Sequence, residues 1–208
     1  MAISNAQPAA TSAPASSQSS PLVMRIIGAV ALAHLINDLI QSVLPSIYPM
    51  LKASYGLTFT QVGLITLTFQ LTASLLQPWV GYHTDRHPKP WLLPAGTVCT
   101  LIGILMMSVV GSFPLILLAA GLIGIGSSTF HPEASRVARL ASGGRFGLAQ
   151  STFQVGGNAG SAFGPLLAAA IIIPYGQGHV AWFGLFAVFA LFVLYRISRW
   201  YANHLNLF

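Results

Sequence analysis

The sequence predicts an all-α membrane protein whose six transmembrane helices form two inverted three-helix repeats. Three observations carry the prediction. Apolar residues make up 54% of the 208 residues and charged residues only 6%, against about 25% charged in an ordinary soluble domain. The apolar residues gather into six runs, each close to the ~20 residues that cross a hydrocarbon layer, and no alternating pattern of the barrel type appears among them. Polar side chains are spread over the runs in the order rich, rich, poor, rich, rich, poor. That order is one three-helix unit used twice. Because three helices reverse the direction of the chain, the second copy is inverted, a construction rule of many transporters.

The elements follow in order. Residues 1–23 are Ala-, Ser-, Pro-, Gln- and Thr-rich without a single charge, a composition that predicts a disordered tail. The tail has no basic n-region of a signal peptide, so the first helix is expected to be retained. The bundle is expected over 24–201, with apolar runs at Arg25–Leu51, Phe59–Gly81, Trp91–Gly111, Pro114–Ser135, Phe146–Pro174 and Val180–Ile197, and a short tail over 202–208. Cys99 is the single cysteine, so no disulfide framework exists to read. A net charge of +6 would suggest nucleic acid in a soluble protein. Here the basic residues fill short gaps between apolar runs, which is a topology signal and excludes a nucleic-acid partner. Arg25, Arg86, Lys89, Arg136, Arg139, Arg145, Arg196 and Arg199 fall on one side, and only Lys52 on the other. The positive-inside rule then places both termini in the cytoplasm.

The first run carries His34, Asp38, Gln41 and Pro45 at steps of 4, 3 and 4, one stripe of a helix. A carboxylate facing lipid at mid-helix costs about 2.5–3.5 kcal/mol, so this stripe must face other helices or a wet cavity. The second run has Thr66, Gln70, Ser74 and Gln77 on one face, the fourth Gly124, Ser128, His131 and Ser135, and the fifth Gln150, Gln154, Asn158 and Ser161. The third and sixth are expected to face lipid. The first and fourth each bring a histidine and an acid, His34 with Asp38 and His131 with Glu133. Burial and a neighbouring imidazolium pull a carboxyl's proton affinity in opposite directions, so the His34–Asp38 pair could exchange a proton for a solute. The candidates for proton coupling or substrate contact are His34, Asp38, Gln41, Gln70, His131, Glu133, Gln154 and Asn158. For the single amides and hydroxyls, plain interhelical bonding at about 0.6 kcal/mol each remains an equal reading.

Two further features invite mechanism. Gly156, Gly160 and Gly164 recur four residues apart, a groove for close helix approach, and Pro165 permits a bend beside it. Sequence leaves open whether that contact slides or is static. At the basic end, Asp85 and Arg86 leave the second helix where Glu133, Arg136 and Arg139 leave the fourth, a candidate charge-paired latch over the inner mouth. For Arg139 and Arg145 a solvated positive face is the simpler account.

The run Gly81-Tyr82-His83-Thr84-Asp85-Arg86-His87-Pro88-Lys89 resembles the loop signature Gly-x-x-x-Asp-Arg-x-Gly-Arg/Lys of the major facilitator superfamily. Gly81, Asp85, Arg86 and Lys89 match, and Pro88 replaces the second glycine. Gly160 to Pro165 resembles the Gly-x-x-x-Gly-Pro motif of the antiporter branch, with Ala168 and Ala169 in place of its trailing glycines. The His34-to-Asp38 element and the runs Phe130–Arg139, Ala141–Gln150 and Phe153–Asn158 are similar to a drug-exporting member, over nearly all of Met24–Tyr201. The resemblance implies the N-terminal half of a twelve-helix fold in a bacterial inner membrane. It implies export of a small anionic drug, a phosphonate antibiotic, by proton antiport, with no cofactor or metal. The implied partners are the bilayer, the drug, protons, and a second six-helix half supplied by a missing segment or another copy. Many proton-coupled members carry an arginine in the fourth helix where this chain has Ala120, which leaves Asp38, His34, His131 or Glu133 to couple the proton. Two other readings compete. The run Gly126-Ser127-Ser128 with His131 invites an intramembrane hydrolase, although a serine and histidine stacked on one stripe do not converge on one bond. The chain could also be a six-helix fragment that transports nothing by itself.

Overall fold

The computed structural model describes residues 22–205, so residues 1–21 of the expected tail and 206–208 lie outside the described residues. Six helices are long and apolar enough to cross a membrane: span 1, Met24–Ser46; span 2, Phe59–Arg86; span 3, Leu92–Val109; span 4, Phe113–Leu140; span 5, Phe146–Tyr175; and span 6, Gln177–Leu205. No strand occurs among the described residues.

The ends differ from the apolar runs for physical reasons. Span 1 stops at Ser46, because the chain leaves helical geometry at Ile47 just after Pro45, whose ring and missing N–H oppose the ladder. A separate short helix, Tyr48–Tyr55, follows with Pro49 in its first turn and Gly56 closing it at φ 61°. Thr58 then starts span 2 in a reciprocal capping box with Gln61. Spans 2 and 4 continue beyond Gly81 and Ser135 to Arg86 and Leu140, since charge leaves the membrane without ending a helix. Span 6 likewise runs past Ile197 and through part of the expected 202–208 tail, to Leu205. Spans 2 and 5 each contain a π-helical turn, at Leu71–Leu75 and Ala168–Ile172. The second begins three residues after Pro165.

Span 1 lies against span 5 more closely than any other neighbour. Cβ atoms at Gly156 and Gly160 would overlap the carbonyl oxygens of Ala31 and Leu35, and one at Gly164 would come within 2.5 Å of the Leu39 carbonyl. The glycine groove is therefore filled by backbone. Spans 3 and 4 use the same device, where a Cβ at Gly103 would stand 2.9 Å from the Ala119 oxygen. Span 2 packs mainly on span 4, span 3 on spans 4 and 6, and span 6 on span 1. Exchanging spans 1–3 with spans 4–6 turns the 1–5 contact into 4–2 and the 3–4 contact into 6–1, as an inverted repeat requires.

Outer faces of spans 3 and 6 are apolar and exposed, with Val98, Ile102 and Val109 on one and Leu185, Val188 and Phe192 on the other. That agrees with a lipid-facing position. The inner side of span 3 needs a correction, however. Thr97, Thr100 and Ser108 are buried against protein and donate to the Leu93, Gly96 and Leu105 carbonyls of their own helix. The broadest open faces belong to spans 2 and 5, where Gln70, Leu75, Trp79, Gln154, Asn158 and Leu166 are all exposed. Inside, the core holds two large apolar clusters and a small third one of Ile27, Ala141 and Ala149. One large cluster holds Ile36 to Leu51 with parts of spans 3, 4 and 6, and the other holds Val30 and Ala33 with Phe130, Val137, Phe153 and Tyr201. The polar residues of span 1 lie at the seam.

Candidate functional site

Asp38 is the centre of that seam. Its helical neighbours four before and three after, His34 and Gln41, share its face, and spans 4 and 5 close over them. His34 Nε2 stands 3.2 Å from Oδ2, and His131 Nε2 of span 4 stands 3.3 Å from Oδ1. Asn37 and Gln41 donate their amides to Oδ1 at 3.1 and 3.4 Å. His34 is 2% exposed, Asp38 18% and His131 22%, so the cluster is sheltered without being sealed. His34 stacks on Phe153 at 4.0 Å and meets the edge of His131 at 5.1 Å.

The far nitrogens fix the proton count. His34 Nδ1 lies 2.8 Å from the Phe153 carbonyl and His131 Nδ1 lies 3.0 Å from the Ser127 carbonyl. A carbonyl only accepts, so each Nδ1 carries hydrogen. Each Nε2 therefore needs a further proton, on nitrogen or on the carboxyl, for its approach to Asp38 to be a hydrogen bond. With both bridging protons the cluster has a charge of +1; with neither it is −1 and faces two lone-pair contacts.

The same accounting removes the hydrolase. Ser127 Oγ comes within 3.3 Å of His131 Nδ1, but it donates to Gln41 Oε1 at 3.0 Å, and that Nδ1 already carries a proton directed at a carbonyl. It cannot act as a base toward the hydroxyl. Ser128 donates to the Ile125 carbonyl at 2.8 Å. The donor atoms of His34, Asp38 and His131 lie within 4.8 Å of one another, close enough to hold one metal ion.

A second polar cluster sits at the arginine-rich end. Arg136 donates Nη1 to Glu133 Oε1 at 2.6 Å and to the Tyr201 hydroxyl at 3.4 Å, and Nη2 to Thr84 Oγ1 at 3.1 Å and to the Asp85 carboxylate. Spans 2, 4 and 6 are thus tied by one guanidinium. Glu133 is fully buried, whereas Asp85 is 73% exposed. Glu133 Oε2 is buried without a hydrogen bond among the described residues.

Several sequence expectations change here. His131 pairs with Asp38, not with Glu133, which belongs to Arg136. Of the five latch candidates, Asp85, Glu133 and Arg136 meet. Arg86 instead lies over the Tyr82 ring at 4.0 Å, and Arg139 over Phe146 at 5.2 Å. Lys89 is exposed, and Gly81 packs beside Pro132 of span 4. Gln154 donates to Asn158 at 3.2 Å on the open face of span 5. Gln70 makes no hydrogen bond among the described residues, so none of these three amides joins the Asp38 cluster. Asn37, Gly157, Thr84 and Tyr201 were not among the sequence candidates, and Ser127 entered only through the hydrolase reading. Gly157 is the most telling, since a Cβ there would stand 2.5 Å from His34 Nε2 and 2.8 Å from Asp38 Oδ2.

Six apolar spans, an inverted repeat and a sheltered ionisable cluster between spans 1 and 4 define the core of a membrane transporter. The chain belongs to the major facilitator superfamily, whose sequence pattern matches residues 30–203. It is 58% identical over 202 residues to the fosmidomycin resistance protein of Escherichia coli (strain K12), covering 97% of this chain and 50% of that protein. It is also 45% identical over 184 residues to the uncharacterized MFS-type transporter YfnC of Bacillus subtilis (strain 168), covering 88% of this chain and 45% of that one. The chain therefore spans about half the length of the curated relatives it matches. These relationships point to a transporter rather than an enzyme.

Proposed function

We propose that this chain is the N-terminal half of a secondary transporter that expels a small anionic drug, such as fosmidomycin, from a bacterial cell in exchange for protons. The observation that carries the proposal is the wiring of Asp38. One acid lies between two imidazoles whose other nitrogens are fixed as donors, so each contact stores one exchangeable proton. For exchange, protons and anion load the site alternately: the bridging protons leave to the cell interior before the anion is taken up, and protons bound from outside accompany its release. The open faces of spans 2 and 5, with Gln70, Gln154 and Asn158 exposed, are where a second six-helix half would enclose the path, and those amides would then line it. The eight basic residues at one end support an inner-membrane orientation with both termini cytoplasmic. On that orientation the Asp85–Arg136–Glu133 cluster closes the inner mouth.

The test is drug export from inner-membrane vesicles holding this chain together with a complementary six-helix half. Asp38→Asn keeps the shape and three of the acceptor contacts but removes the exchangeable charge. Export driven by a pH gradient should be abolished while membrane insertion is kept. Full pH-driven export by the variant would refute the coupling role.

A further inference from the structure

Two imidazoles and one carboxylate that converge from two helices are also the donor set of a transition-metal centre. We infer that His34 Nε2, His131 Nε2 and the Asp38 carboxylate form a binding site for a divalent d-block ion of the zinc class, which ties span 1 to span 4. The inference uses the geometry alone, so it can fail while the transport reading stands.

Spacing is the first support. Around a tetrahedral zinc with bonds of about 2.0–2.2 Å, neighbouring ligand atoms are roughly 3.3–3.5 Å apart. The two histidine-to-aspartate separations are 3.2 and 3.3 Å, and all three donors fall within 4.8 Å. The two separations reach different carboxylate oxygens, so an ion takes Asp38 through both oxygens, or one imidazole shifts toward the oxygen that the other faces. Among the described residues no other group of three His, Cys, Asp or Glu side chains meets this spacing.

Orientation is the second. A metal-ligating imidazole almost always donates its other N–H to a carboxylate, carbonyl or water, which fixes the tautomer and aims the lone pair. Both histidines do so here, to the Phe153 and Ser127 carbonyls. Ligating carboxylates are themselves hydrogen-bonded, and Asp38 accepts from Asn37 and Gln41. Three protein ligands leave a fourth position for water, and Asp38 and His131 are exposed enough to admit it. Imidazole-rich sets select zinc, cobalt, nickel or copper over magnesium or calcium. An ion seated there would hold the span 1–span 4 contact closed and arrest export.

The experiment uses the purified chain in lipid nanodiscs after chelator treatment. Zn²⁺ is titrated against a chromogenic chelator, and the zinc-loaded protein is examined by X-ray absorption. One equivalent should bind, with two imidazoles and oxygen in the first coordination sphere. His34→Gln and His131→Gln should each weaken binding by at least about tenfold, and His83→Gln should leave it unchanged. Absence of a stoichiometric site, fewer than two imidazoles on the wild-type zinc, or unaltered affinity in both variants would overturn the inference. The wild-type spectrum decides even if a variant fails to fold.

Discussion

Gly157→Ala is the smallest change that reaches the Asp38 cluster. The new Cβ would stand 2.5 Å from His34 Nε2, where ordinary contact begins near 3.4 Å. The imidazole must then retreat by roughly 0.9 Å, the difference between those distances. It cannot do so freely, because the ring is stacked on Phe153 at 4.0 Å and its Nδ1 is held by the carbonyl of the same residue at 2.8 Å. Phe153 lies one helical turn before Gly157, so moving away from one stretches the bond to the other. The methyl also stands 2.8 Å from Asp38 Oδ2 and wedges apart the His34–Asp38 contact; losing a hydrogen bond to that carboxylate costs about 1.5–3 kcal/mol, and replacing glycine within a helix returns about 1 kcal/mol. The net loss should be about 0.5–2 kcal/mol, measured by denaturation in mixed micelles. The specific readout is nitrogen NMR of ¹⁵N-histidine-labelled protein. Wild type should show Nδ1–H on both His34 and His131, and the variant should shift the His34 signals most. A variant that is more stable by the full helix-propensity gain, with His34 unmoved, would refute the reasoning.

The arginine cluster and the glycine groove give two further tests. Arg136→Ala strands the fully buried Glu133 carboxylate and should cost about 3–5 kcal/mol, whereas Asp85→Asn, at a side chain 73% exposed, should cost about 0–1 kcal/mol; equal costs in chemical denaturation would contradict the asymmetry. Gly160→Ala forces a methyl onto the Leu35 carbonyl and should destabilise by about 1–3 kcal/mol. Its control is Gly121→Ala, whose Cβ meets the Thr68 methyl at an ordinary 3.6 Å and which should gain up to about 1 kcal/mol from helix propensity. Comparable losses at both would mean that the groove is not filled by backbone.

The spans were legible because hydropathy averaged over twenty residues outweighs any single polar side chain. The stripe of His34, Asp38 and Gln41 was legible for a related reason, since steps of three and four fix one face of a helix whatever surrounds it. Partners were not. Pairing His131 with Glu133 followed their closeness in sequence, yet residues two apart point to opposite sides of a helix. That rule alone separates them and leaves Glu133 with Arg136, three residues on. Asp38's true partner is on another helix 93 positions away, and Tyr201 reaches Arg136 over 65, distances that no local pattern encodes. Gly157 was hidden by its neighbour. The four-residue recurrence at 156, 160 and 164 is a pattern, whereas a single glycine facing an imidazole is visible only once the helices are packed.

One acid serves two histidines, whose rings meet edge to face at 5.1 Å, and the two bridges to Asp38 are unequal. The one from His34 lies within a single helix, four residues apart, and survives any rigid movement of that helix. The one from His131 crosses between spans and depends on their separation. A displacement of span 4 against span 1 would act on His131 first, opening that 3.3 Å contact while the contact from His34 stays.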